Sequence, residues 1–276
     1  MWGEGREIIS LALPHKTPPS GFPLAAVTEL HRLELILGRW SRVVLLFSGG
    51  LDSGLLLAAG ARVLGPGLTA FTCTGPHTAP GELAHAVHLA RRFKVRHLLK
   101  EMDPLALAAF ASNTRERCYV CKRAVILLAR EAAAESGAEV IWDGTNVDDL
   151  SDFRPGLAAA RELGVVSPLL EAGLDKSAIR EASRWLALPA DRPPQSCLAT
   201  RFPYGASLTR ESLAAVGRAE AWLMARRFSH VRLRVRPPGV RLELDPSQWP
   251  AFLNPRVRRP FLALLAALKL GVLEIG

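Results

Sequence analysis

The stretch VVLLFSGGLDSGLLLAAG, Val43 to Gly60, constrains the fold more tightly than any other part of the chain. Its first five residues form an unbroken apolar run, as expected of a strand buried on both faces. A Ser-Gly-Gly turn follows, and then a segment with the apolar spacing of a helix. Such a turn presents bare N–H groups from Gly49 and Gly50, hydroxyls from Ser48 and Ser53, and the positive end of a helix dipole. Together these make an anion seat. No Gly-Lys-Ser/Thr follows, and the spacing is not GxGxxG, so two common phosphate loops are excluded. An ordinary tight turn with Asp52 as a helix-start acid has the same local pattern. Asp52 also puts a negative charge where an anion would bind.

The rest of the chain repeats this alternation. Strands are expected at 43–47, 68–73, 95–100 and 139–143, with a short one at 165–169. Helices are expected from Pro23 to Leu37 and at 52–63, 81–92, 117–136 and 175–187. This order predicts an α/β, doubly wound parallel sheet over residues 23–190. The proline-rich LPADRPPQSCLATRFPYG then breaks the pattern. Residues 191–276 read as a smaller α+β domain, including the connection that carries Cys197: a helix at 209–226, the hairpin HVRLRVRPPGVRLELD, a helix at 255–268 and a last strand. Residues 1–22 read as a leader.

The chain has 276 residues, enough for a full core, and a formal net charge of +9. That charge favours anionic partners without choosing among nucleotides, phosphorylated substrates and RNA. The first residues do not form a convincing signal peptide, and FLALLAALKLGVLEIG is too short to span a bilayer. No membrane association is expected, and the cytoplasm is the default compartment. Four cysteines there point to metal or redox chemistry before disulfides.

A second buried strand, in AEVIWDGTNVDDL, ends in Gly144 and Thr145 followed by Asp148 and Asp149. Parallel strands deliver their C-terminal ends to one edge of a sheet, so this loop should face the crevice of the SGG turn. FTCTG should lie beside it, with Cys73 a small buried residue. RERCYVCKRAV places Cys118 and Cys121 three apart on one helix face. Helix start and basic neighbours should lower their thiol pKa values and favour thiolate. Cys197 is the third candidate ligand. A redox pair, half of a zinc site or a packed cysteine would look the same at this level.

SGGLDS straight after a hydrophobic strand resembles the PP-loop of the ATP pyrophosphatase superfamily, whose fold is adenine nucleotide alpha hydrolase-like. The resemblance implies ATP bound at Ser48, Gly49, Gly50, Asp52 and Ser53 with Gly144 and Thr145, and cleaved between its α- and β-phosphates. Asp52 would hold Mg2+ against those phosphates, so its charge meets a dication.

Six passages, SGGLDS, CYVCK, DGTNVDDLSDFRPG, SPLLEAGLDKSAIREASRWLALP, SCLATRFPYG and VRLRVRPPGVRLEL, occur in the order seen in the LarE family. The resemblance runs from about Leu24 to Glu243. It implies an ATP-dependent sulfur transferase acting on a pyridinium-3,5-dicarboxylate mononucleotide for the nickel-pincer nucleotide cofactor. A carboxylate is adenylated, and a sulfur nucleophile then displaces AMP. Family members differ in sulfur source: some sacrifice the cysteine matching Cys197, while others add a CxxC and hold a 4Fe–4S cluster on three cysteines. With Cys118, Cys121 and Cys197 all present, this chain resembles the cluster type.

The same resemblance gives Lys122 the adenylate and Arg232 and Arg234 the substrate phosphate. It gives Glu243 the acid of the family's ARIE segment, and Arg201, close to Cys197, is a further candidate for binding an anion beside the sulfur. The resemblance implies a homo-oligomer and an unidentified sulfide donor. The leader and CLATR in place of CLASR depart from the family pattern. The rival readings are a PP-loop enzyme that thiolates a tRNA base, an ammonia-using amide synthetase and a non-catalytic sulfide carrier. No RNA-binding appendage is recognisable, so nucleic acid is not an expected partner.

Overall fold

The computed structural model describes residues 24–151, 154–190 and 195–275. The expected leader, residues 152–153 of the second loop passage and the expected boundary at 190/191 fall wholly or partly outside them.

In chain order the first unit comprises α1 (Leu24–Leu37), β1 (Val43–Leu46), α2 (Leu51–Leu64), β2 (Leu68–Thr74), α3 (Glu82–Arg92), β3 (Arg96–Glu101), α4 (Ala108–Ala111), α5 (Arg117–Ser136), β4 (Val140–Trp142), α6 (Pro155–Glu162), α7 (Pro168–Glu171) and α8 (Lys176–Trp185). The second comprises α9 (Arg210–Met224), β5 (Arg232–Arg236), β6 (Gly239–Glu243), α10 (Trp249–Leu253), α11 (Pro255–Ala267) and β7 (Leu273–Ile275).

The four strands of the first sheet are parallel, in the order β3-β2-β1-β4. All four residues of β1 are buried, which is why its sequence is continuous rather than alternating. Its side chains divide by period two: Val43 and Leu45 join a core built with α1, α2, α3 and α8, whereas Val44 and Leu46 join one built with α5 and α6. Helices therefore cover both faces, as expected of a doubly wound α/β fold. The chain reverses its direction across the sheet between β1 and β4, and that reversal opens a crevice at the carboxyl ends of these two strands.

The expected strand at 165–169 is corrected. Only Val166 makes a bridge, parallel to Trp142, and residues 168–171 turn into α7. Pro168 supplies no ladder N–H and occupies the first turn of a helix, a position where none is needed.

In the second unit β5 and β6 form the expected hairpin, and β7 adds parallel to β6. Leu233, Val240 and Leu242 pack with Leu213, Val216 and Leu223 of α9 and with Phe252 and Phe261. The same core takes in Leu198 and Ala199 from the Cys197 segment, and Ala79 and Phe110 from the first unit. The Cys197 segment is thus packed into the seam between the two sheets. Among the described residues no helix is long and apolar enough to cross a membrane.

Candidate active site

The glycine turn closes on itself. Gly49 has φ of +78°, and a Cβ there would lie 3.1 Å from the backbone of Ala86, so the turn needs glycine twice over. Ser48 Oγ accepts from Gly50 N at 3.3 Å and lies 3.1 Å from Ser53 Oγ, joining the turn to the first turn of α2. A second loop leaves β4 and presses against it: a Cβ on Gly144 would lie 3.1 Å from Ser53 N and 3.2 Å from Asp52 Cβ. Both loops line the crevice between β1 and β4. The structure therefore brings together Ser48, Gly49, Gly50, Asp52, Ser53, Gly144 and Thr145. A cleft of about 260 Å3 opens beside the turn, with Ser48, Asp52, His85, Lys176, Arg180 and Gln195 among its walls.

Asp52 has a partner the sequence does not reveal. Lys176, the first residue of α8, ion-pairs with its Oδ2, while the Lys176 backbone N–H donates to Asp148 Oδ2 at 2.8 Å. Burial raises the Asp52 pKa above its ordinary value despite Lys176, and the Asp149 charge adds to the rise. Oδ1 of Asp52 is buried without a hydrogen-bond partner among the described residues. Asp149 is held by the Asn146 capping box and by Arg154 at 2.7 Å.

Lys122 and Asp143 form a second unforeseen pair, with Nζ 3.0 Å from Oδ2. Asp143 Oδ1 accepts from Ser167 Oγ at 2.8 Å and from Thr145 N at 3.2 Å. Burial pushes this carboxyl up, but Lys122, Ser167 and Thr145 outweigh it and leave it below the ordinary range. Lys122 lies on α5 with Cys118 and Cys121, so the pair ties the cysteine helix to the second loop.

The thiols do not behave as the sequence predicts. Cys118 is exposed, and Cys121 and Cys197 are half-buried against the core of the second unit. Burial, then the charges of Cys197, Cys118 and Cys73, push the Cys121 thiol up to about 12; burial pushes Cys197 up to about 11. Desolvation thus overrides the helix start and the basic neighbours at Cys121, where the expected thiolate preference is reversed. Cys73 is half-buried, its own thiol raised to about 11 by burial, and is electrostatically coupled to Cys121. Among the described residues no three His, Cys, Asp or Glu side chains stand close enough to hold a single metal ion.

The arginines divide into two kinds. Arg201 is expected to bind an anion, yet its side chain is 0 % exposed and already engaged. Its Nε and Nη2 donate to Glu220 at 2.7 and 3.1 Å, and its Nη1 to Ser196 Oγ and Thr200 Oγ1. It clamps the Cys197 segment to α9; Glu220 also accepts from Leu233 N, which fixes β5. Substrate-anion binding by Arg201 is corrected on this ground. Arg232 and Arg234 share the outward face of β5 and are only partly covered. Burial, then Arg201 and Arg234, lower the Arg232 pKa, the signature of crowded positive charge. Arg234 donates to Glu243 Oε1 at 3.1 Å and to Thr200 O at 2.9 Å. Glu243 therefore orients an arginine beside the Cys197 segment.

Comparison with known proteins bears on this arrangement. The asparagine synthase family pattern matches residues 41–151, the span holding both loops and the cysteine helix. The chain is 37% identical over 228 residues to an uncharacterised protein of Synechocystis, covering 82% of this chain and 85% of that one. It is 33% identical over 227 residues to the pyridinium-3,5-bisthiocarboxylic acid mononucleotide synthase of Lactiplantibacillus plantarum, covering 81% and 82%. A component of the glutamine-hydrolysing GMP synthase of Methanosphaerula palustris is 28% identical over 212 residues, covering 71% and 67%.

Proposed function

The chain belongs to the LarE family of ATP-dependent sulfur transferases, and from that premise we propose that it converts the carboxylates of pyridinium-3,5-dicarboxylate mononucleotide to thiocarboxylates. The observation that carries this reading is the Lys122–Asp143 pair, which joins the helix bearing Cys118 and Cys121 to the loop against the glycine turn. A nucleotide loop and a sulfur centre are thereby tied to one crevice.

In this reading the N–H groups at Gly49 and Gly50 and the hydroxyls of Ser48 and Ser53 receive ATP phosphates. Asp52 fits the accompanying Mg2+: it is a half-buried carboxylate whose Oδ1 is buried without a partner among the described residues, and Mg2+ is ordinarily held by one or two carboxylates plus phosphates and water. Bound there, Mg2+ would neutralise phosphate charge. Lys176 holds the Asp52 charge in the protein alone and remains beside the phosphates. A carboxylate is a poor electrophile; transfer of AMP to its oxygen supplies a leaving group. Arg232 and Arg234 take the phosphate of the mononucleotide. Arg234 also donates to Thr200 O, which ties this phosphate site to the Cys197 segment.

For the sulfur source we propose a 4Fe–4S cluster on Cys118, Cys121 and Cys197. The donor set is three thiols from two segments that lie within electrostatic reach of one another: Cys197 and Cys118 act on Cys121, and Cys118 acts on Cys197. Bound there, the cluster would carry transferable sulfide. A second reading takes the sulfur from Cys197 itself, which is packed between the two sheets beside Arg201 and Thr200.

Anaerobic protein should be assayed for iron and sulfide, then given ATP and the dicarboxylate mononucleotide. Pyrophosphate release with a thiocarboxylate product is expected, with about four irons per chain. No iron, with Cys197 converted to dehydroalanine, would replace the cluster by the sacrificial source. Salt-sensitive tRNA binding without turnover of the mononucleotide would overturn the reading altogether.

A further inference from the structure

Arg117 opens α5, one residue before Cys118, and at 6 % exposure it is among the most deeply buried charged residues of the chain. Most buried guanidinium groups are fully engaged, as Arg201 is. Arg117 is not: its Nη1 is shielded from water and has no hydrogen-bond partner among the described residues. An unpaired buried donor on a cation is costly, so its persistence calls for a partner that arrives from outside.

Its surroundings indicate where that partner lies. The guanidinium carbon lies 4.4 Å from the centroid of the Tyr204 ring, which holds its plane by cation–π contact. Tyr204 belongs to the Cys197 segment, which is fastened to the residues preceding α5. Asn113 Nδ2 donates to Pro203 O at 2.8 Å, Gly205 N to Asn113 O at 3.1 Å and Leu208 N to Ala111 O at 2.7 Å. Arg117 directly precedes Cys118 on α5, and Cys121 of the same helix packs with Cys197 on the core of the second unit. The seam therefore holds a fixed, half-satisfied cation between the cysteine helix and the Cys197 segment.

We propose that Arg117 is a substrate-binding residue of the sulfur half-reaction, its free Nη1 receiving an oxygen of the carboxyl group that undergoes exchange. The proposal rests on the proposed function. When a sulfur nucleophile attacks the acyl carbon, a C–S bond forms and the carbonyl electron pair moves to oxygen. As that pair returns, the bond from the acyl carbon to the AMP oxygen breaks and AMP leaves with its electrons. Arg117 faces the oxygen that carries this transient charge, the placement at which a fixed donor lowers the barrier. Arg232 and Arg234 serve the phosphate end of the same substrate, so three arginines are divided between two anions.

The test separates the two half-reactions in anaerobic full-length protein. In R117Q, substrate-dependent pyrophosphate release in the first turnover should stay within about threefold of wild type, while thiocarboxylate formation falls about 100-fold and the acyl adenylate accumulates. Binding should move as well: wild type should bind the 3,5-dicarboxylate mononucleotide about tenfold more tightly than its 3-carboxylate, 5-carboxamide analogue, and R117Q should lose that preference. R117K should recover part of both effects. Should R117Q fail to fold, Y204L, altered at an exposed ring, should lower thiocarboxylate formation several-fold with pyrophosphate release unchanged. Wild-type behaviour of R117Q or Y204L, or an equal fall in both half-reactions, overturns the role of Arg117. A wild-type protein that binds the mononucleotide without releasing pyrophosphate overturns the proposed function instead, while the binding comparison still tests Arg117.

Discussion

Lys122 Nζ lies 3.0 Å from Asp143 Oδ2, and the carboxylate is only 4 % exposed. The Asp143 pKa is depressed in the fold, so its stabilisation is complete above the ordinary carboxyl value of 3.8 and is lost as pH falls through the lower folded value. D143N should therefore flatten the acid limb of the stability curve. At neutral pH it should cost about 2 kcal/mol, because Lys122 keeps contact with water and escapes the full penalty of a stranded buried charge. Chemical denaturation of both proteins across the acid range measures this directly. A parallel acid limb in the variant would show that the pair does not contribute.

The Asp52–Lys176 pair should be read out in adenylation. D52N removes the charge that would hold the dication and should lower pyrophosphate release by about 100-fold or more. Its folding stability should change little, because burial already works against the Asp52 charge. K176M leaves that charge buried and unpaired, so it should lose both adenylation and stability. Equal melting temperatures for the two variants would contradict this account.

Much of this site is legible in the sequence, and the illegible part has a common cause. The strand at Val43, the glycine turn and the loop at Gly144 announce themselves through short-range signals: an apolar run, adjacent glycines and a strand end. Lys176 does not, because its partner is 124 residues away and a lysine at a helix start has many ordinary uses. Arg201 misleads for the same reason. Beside Cys197 it looks like an anion binder until Glu220, distant on α9, is seen to occupy it. The thiols mislead through burial, which no local spacing reports. The strand expected at 165–169 fails at Pro168, whose missing N–H is a local signal against a ladder position.

Gly144 should tolerate no side chain. A Cβ there would meet Ser53 N at 3.1 Å and Asp52 Cβ at 3.2 Å, atoms of a helix start that cannot swing aside. G144V should cost about 1–3 kcal/mol and separate the two loops. Weakened ATP binding, measured calorimetrically, is the expected result. Binding equal to wild type would mean that the loops need not touch.

The two kinds of arginine should separate cleanly under substitution. E220A strands the Arg201 cation in a site with no exposure, and should cost about 3–5 kcal/mol with a large fall in melting temperature. R201A should be comparably destabilising, because it unfastens Ser196 and Thr200 and leaves Glu220 charged and buried. R232A should behave in the opposite way. The Arg232 side chain is only partly covered, and its repulsion from Arg201 and Arg234 is opposed by Glu243 and Glu220, so stability should change by less than about 1 kcal/mol. The KM for the mononucleotide should increase about tenfold or more, since a charge-assisted contact to phosphate is lost. Thermal melts and steady-state kinetics on the three variants decide the matter. A destabilised R232A with unchanged KM would move that arginine into the structural class with Arg201.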